Sequence, residues 1–137
     1  MWYSHKFKGP GLRYEIGLNI HTGDIVWGHG AYPCGQYPDL TISRSCLIHF
    51  LSQGEKVVTD NGYRGERYFI FPFSRLEPRE YINKIMARHE TINKRIRHFK
   101  VLSERFRHHL DRHPICFHAV LNITQLMIES GEPLYQL

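Results

Sequence analysis

In LRYEIGLNI, Leu12, Tyr14, Ile16, Leu18 and Ile20 alternate with Arg13, Glu15, Gly17 and Asn19, which is the period of a half-buried β-strand. HTGD follows as a turn, and IVWGHGAY supplies a returning strand, so the two predict a hairpin closed around Gly23. The loop YPCGQYPD ends on Asp39, placed to cap a helix from Leu40 to Leu51 that Gly54 terminates. KVVTD predicts a third strand and RYFIFPF a fourth, with Pro72 ending the fourth or confining it to an edge. From Glu77 the spacing changes to three, four and seven through Ile82, Ile85, Ile92, Ile96, Phe99, Leu102 and Phe106, a helical stripe that packs on a sheet. His113 and Pro114 break that run, and a last helix carries Ile115, Ala119, Val120, Ile123 and Met127 before Gly131.

Composition narrows the class. The chain has 137 residues, 42% of them hydrophobic, enough for one domain (1–137) with a modest core. There is no internal repeat or low-complexity linker. The apolar run CFHAVLNITQLMI is interrupted by His118, Asn122, Thr124 and Gln125, so no membrane span is expected. Three cysteines, Cys34, Cys46 and Cys116, are an odd number without CxxC spacing and without a preceding signal peptide, which implies reduced thiols in a nuclear or cytoplasmic protein. A formal charge of +5 makes nucleic acid the first partner to consider.

Two acids stand out. In KVVTDNGYRGE, an apolar β-branched pair runs into Asp60 and breaks on Asn-Gly, so Asp60 is either a turn residue or a carboxylate held rigidly at a strand end. On the long helix, Met86, Glu90, Asn93 and Arg97 form a second row beside the apolar stripe, and Glu90 sits in the middle of it. Residues 84–112 hold nine of the eighteen Lys and Arg against three acids, Glu90, Glu104 and Asp111. An acid kept inside a basic face raises the question of a metal site. His108, His109, His113, Cys116 and His118 offer zinc-ligand types, but their spacing fits no common finger and straddles a helix break.

The segments WYSHKFKGPGLRYEIGLNI, TGDIVWGHGAYPCG, DLTISR, GEKVVTDNGYRGE, RHETINKRIRHFKVL and FHAVLNITQLMIESGEPL, in that order over nearly the whole chain, resemble the DDE-superfamily endonuclease domain of Harbinger-type transposases and the nucleases derived from them. The resemblance implies an α/β, ribonuclease-H-like mixed sheet flanked by helices, with three carboxylates holding two Mg²⁺ or Mn²⁺ ions. Such ions sit roughly 3.5 to 4 Å apart and clamp the attacking and leaving oxygens of an in-line phosphoryl displacement on DNA. Asp60 in TDNGY falls on the family's second acid and Glu90 in RHETIN on its third, making both the implied catalytic and metal residues. Arg97, seven residues after the glutamate, falls where related transposases carry a basic residue, and Lys94, Arg95, Arg97 and Lys100 are the implied phosphate contacts. The tyrosine and arginine that those relatives place before the glutamate are replaced by Asn83 and Met86.

The family's first aspartate lies on a strand upstream of WYSHKFKGPG. Its absence implies an incomplete triad, a sheet lacking its central strand between Leu12–Ile20 and Lys56–Asp60, and no cleavage by the chain alone. Glu15 is the nearest substitute acid. A missing N-terminal segment or a separate DNA-binding protein would complete the function, in the nucleus or the cytoplasm. The alternative is a non-catalytic DNA- or protein-binding remnant that uses the basic helix 84–112.

Overall fold

The expected hairpin forms, and it turns one residue pair earlier than the alternation ends. In a computed structural model, which describes residues 12–33, 42, 46–59, 68–70 and 79–135, strand β1 is Leu12–Leu18 and strand β2 is Ile25–Pro33. They pair antiparallel, Ile16 opposite Gly28 and Gly17 opposite Trp27. β1 stops at Leu18 because the Asn19 side chain accepts from the backbone N–H groups of His21 (2.9 Å) and Thr22 (3.1 Å), a local bond that competes with strand pairing. Gly23, at φ +79°, closes the turn, with its N–H donating to the Asn19 carbonyl at 2.9 Å.

A short helix, α1 (Leu47–Phe50), follows; Ile42, on the predicted helix, is buried. The expected cap Asp39 lies outside the described residues. Strands β3 (Val57–Val58) and β4 (Phe69–Ile70) pair parallel. The described strands therefore form two separate two-stranded sheets, one antiparallel and one parallel, where the resemblance implied one mixed sheet.

Helix α2 (Arg79–Arg97) buries Ile82, Arg88, Ile92 and Ile96. Glu80 in its first turn and Lys94, Arg95 and Arg97 in its last complement the helix dipole. The expected continuation to Phe106 does not form. The His98 N–H is shared between the carbonyls of Lys94 and Arg95, and Phe99 then turns extended (φ −77°, ψ 110°) before the one-turn helix α3 (Lys100–Ser103). Redirecting the chain there lets Phe99 and Leu102 pack on the core, which a straight helix would carry past it.

Helix α4 (His113–Glu129) begins, rather than breaks, at His113–Pro114, since proline in the first turn gives up an N–H that has no helical partner. Its buried face is Phe117, Val120, Leu121, Thr124 and Ile128. Its apolar members, together with Ile92, Ile96 and Leu134, form the main cluster, against which Tyr14, Ile16, Leu18 and Ile25 of the hairpin pack. Tyr14, Ile16 and Leu18 thus take the core side as predicted, while the one fully buried residue of β1 is Glu15, on the opposite phase. Gly28 is where α4 comes closest to the sheet: a Cβ there would collide with Leu121 Cδ1. The result is an α/β arrangement, with an antiparallel pair flanked by helices.

Candidate active-site cleft

A cavity of about 610 Å³ lies between the two sheets and over α2. Its wall includes Tyr14 through His21 without a gap, and Lys56 through Thr59 without a gap. Successive strand residues point to opposite faces, so a cavity that meets every residue in turn meets the edge of a strand and not its face. The cleft is therefore open to the edges of β1 and of the β3 segment.

The third wall comes from α2. Met86, Glu90 and Asn93, three members of the row picked out from the sequence, all line the cleft. Glu90 is exposed and Asn93 half-buried. Arg97, the next member of the row, is exposed one turn beyond Asn93. Thr59, at the far wall, is buried, and its hydroxyl has no hydrogen-bond partner. Asp60, the next residue in the chain, lies outside the described residues.

Two side chains of α2 cover the β1 edge and the turn that follows it. His89 Nε2 lies 2.8 Å from the Ile16 carbonyl, which fixes that nitrogen as the protonated one and leaves Nδ1 as acceptor for the Asn93 amide at 3.4 Å. Arg88 Nη1 donates to the Ile20 carbonyl at 2.6 Å. Arg88 is only 2% exposed, and its Nε and Nη2 have no hydrogen-bond partner. His89 thus satisfies a β1 edge carbonyl that a neighbouring strand would otherwise take, and Arg88 satisfies one in the turn after it.

Glu15 also lines the cleft and is buried. Its Oε1 accepts from Trp27 Nε1 at 2.9 Å, and Gly17 makes room for that tryptophan, since a Cβ there would stand 2.9 Å from Trp27 Cβ. The alternation of β1 puts Glu15 on the outward face and gives no sign of this pairing, because its signal is cross-strand. Arg88 carried a readable signal: it precedes Ile92 by four residues on the buried stripe.

Of the basic residues, Lys94, Arg97 and Lys100 are exposed. Arg95 directs its guanidinium at the carbonyls of Glu132 (2.5 Å) and Pro133 (3.3 Å), tying α2 to the segment after α4. The histidines near residue 110 are engaged separately. His109 pairs with Asp111 at 3.1 Å, and His113 Nδ1 lies 2.6 Å from the Tyr14 hydroxyl. Burial pushes the Tyr14 phenol well above its ordinary range and lowers the His113 pKa. The phenol is accordingly the donor and the neutral imidazole the acceptor.

Among the described residues no three His, Cys, Asp or Glu side chains are grouped to hold a metal ion, and no helix is long and apolar enough to cross a membrane. No family model, curated protein or solved structure matches the chain.

Proposed function

We propose that this chain is a transposase-type endonuclease domain whose cleft binds divalent metal and the phosphodiester backbone of DNA, with Asp60 and Glu90 as the metal carboxylates. The observation that carries the reading is that Glu90 and Thr59, the residue bonded to Asp60, line one cleft. A strand end and a helix face far apart in sequence thereby line one cleft, and Asp60 follows directly on Thr59 in the chain. Mg²⁺ suits such a site because it takes few protein carboxylates and retains waters and substrate phosphate as its other ligands. When bound, it would polarise the phosphoryl oxygens and lower the pKa of an attacking water. Arg97, one turn along the row from Asn93, and the exposed Lys94 and Lys100 are the basic side chains that this reading assigns to the phosphate backbone.

Glu15 is left out of the set in this reading: it is buried, and its Oε1 accepts from Trp27 Nε1. Two carboxylates place metal loosely, and a misplacement of about 1 Å can cost roughly a hundredfold in rate. The chain alone therefore binds metal weakly and does not cut DNA. Titration calorimetry with Mn²⁺ tests the site. The expected result is weak binding by the native chain and its loss in both Asp60→Asn and Glu90→Gln; unchanged affinity in both variants would remove the assignment.

A second reading, DNA binding without any metal chemistry, is favoured by the exposure of Lys94, Arg97 and Lys100. It requires charge alone and predicts DNA affinity that is indifferent to Mn²⁺ and to both carboxylate substitutions.

A further inference from the structure

Helix α4 is apolar on both sides, and only one side is covered. Phe117, Val120, Leu121, Thr124 and Ile128 face the core. On the opposite face Ile115 is 68% exposed, Ile123 44% and Leu126 59%, with Ala119 and Asn122 exposed between them. At about 3.6 residues per turn, positions 115, 119, 122, 123 and 126 fall on one stripe, centred opposite the buried one. Apolar side chains gathered and exposed along one stripe of a helix mark a contact surface.

Its covering partner can be argued from charge and from the order of side chains along the stripe. The chain carries a formal +5, yet no Lys or Arg occurs anywhere from His113 to Leu137. Two copies of a basic protein can meet there without like-charge repulsion, while a polyanion finds nothing to bind. The stripe also complements itself when reversed. If two α4 helices cross antiparallel about a two-fold axis near residues 120–121, Ile115 faces Leu126 of the partner subunit and Ala119 faces Ile123 of the partner subunit. The small Ala119 then accepts the large isoleucine, the alternation that lets facing helices interdigitate. A two-fold contact of this kind uses one patch twice and closes on itself.

We propose that the exposed face of α4 is a homodimer interface, in which two copies of the chain pack α4 against α4 in antiparallel register. The 17 residues of α4 span about 25 Å, so the helix pair alone gives an interface at the small end of the specific range. The interface lies on a different element from the cleft and does not depend on the metal reading.

Sedimentation velocity over a concentration series tests this with the native chain, Ile115→Glu, Leu126→Lys, and an equimolar mixture of the two variants. Both sites are exposed in the monomer, so near-ultraviolet circular dichroism of each variant should match the native chain. The expected result is a native dimer that dissociates on dilution, each variant monomeric at concentrations where the native chain is paired, and dimers regained in the mixture. That recovery needs the carboxylate introduced at position 115 to meet the ammonium introduced at position 126 across the pair, which only the antiparallel register provides. A native chain that stays monomeric at about 100 μM would overturn the proposal, as would dimers that persist in both variants. Failure of the mixture to recover dimers would overturn the register.

Discussion

The hairpin side of the molecule and the β3–β4 side are built on different principles. On the hairpin side, bonds join residues about a hundred positions apart. Gln125 accepts from the Ile25 N–H at 2.8 Å and donates to Asp24 at 2.9 Å, and Tyr14 meets His113. Those polar ties surround the main buried cluster. The β3–β4 ladder has two residues per strand, and Thr59 beside it keeps a buried hydroxyl without a partner. Short parallel ladders rarely stand alone, because parallel strands are ordinarily buried within larger sheets. One side is tied together by bonds over long sequence separations, and the other meets it across the cleft.

The sharpest way to break this comparison is to remove core volume. Phe117→Ala should cost about 3–5 kcal/mol, since it leaves a cavity against Tyr14, whose ring centroid lies 3.8 Å away. Phe50→Ala on α1, at 71% exposure and with its ring centroid 5.4 Å from that of Trp27, should cost no more than about 1 kcal/mol. Urea denaturation of both variants measures the difference; equal losses would mean that the two sides fold as one unit of even stability.

A smaller effect follows from pH. The folded His113 pKa lies below its ordinary value, so on acidification the unfolded chain takes up a proton at this residue before the folded chain does. The Tyr14–His113 contribution should be intact above about pH 6.5 and be lost as the pH falls from there towards the lowered folded value. Tyr14→Phe should remove about 1 kcal/mol at neutral pH by taking away the donor. Thermal melts from pH 7.5 to 5 check both, and His113→Phe should flatten this part of the profile.

The smallest effect concerns the basic face. Removing a single phosphate-binding charge should make the slope of log affinity against log salt shallower by about 0.9. Neutralising Lys94, Arg97 and Lys100 together should therefore flatten the salt dependence of DNA binding. Arg95→Gln should leave the slope nearly unchanged and instead loosen the segment after α4, because its guanidinium is held by the Glu132 and Pro133 carbonyls. Fluorescence anisotropy across a salt series separates the two, and an Arg95→Gln slope as shallow as the triple variant's would move Arg95 into the DNA-binding face.

The sequence was most informative where one periodicity acts alone. Tyr14, Ile16 and Leu18 face the core as their alternation requires, and Met86, Glu90 and Asn93 share the cleft as their spacing requires. It misled where tertiary packing competes with period. The stripe through Ile96, Phe99 and Leu102 reads as one helix, yet the backbone turns at Phe99 so that the last two can reach the core. On α4 the apolar positions read from the sequence were Ile115, Ala119, Val120, Ile123 and Met127, of which only Val120 is buried, while Phe117, Leu121 and Ile128 make the covered face; two apolar faces carry no local mark of which one the fold covers. The burial of Glu15 was hidden because its partner, Trp27, lies on the other strand of the hairpin.

The most direct test of the cleft as a metal site is paramagnetic broadening by substoichiometric Mn²⁺ in the amide spectrum of the ¹⁵N-labelled chain. The account predicts that Thr59, Glu90 and Asn93 broaden first, that signals from Ile115 to Leu126 stay sharp, and that the pattern disappears in Glu90→Gln. Broadening centred instead on His108 to His118, or the same cleft pattern persisting in Glu90→Gln, would contradict it.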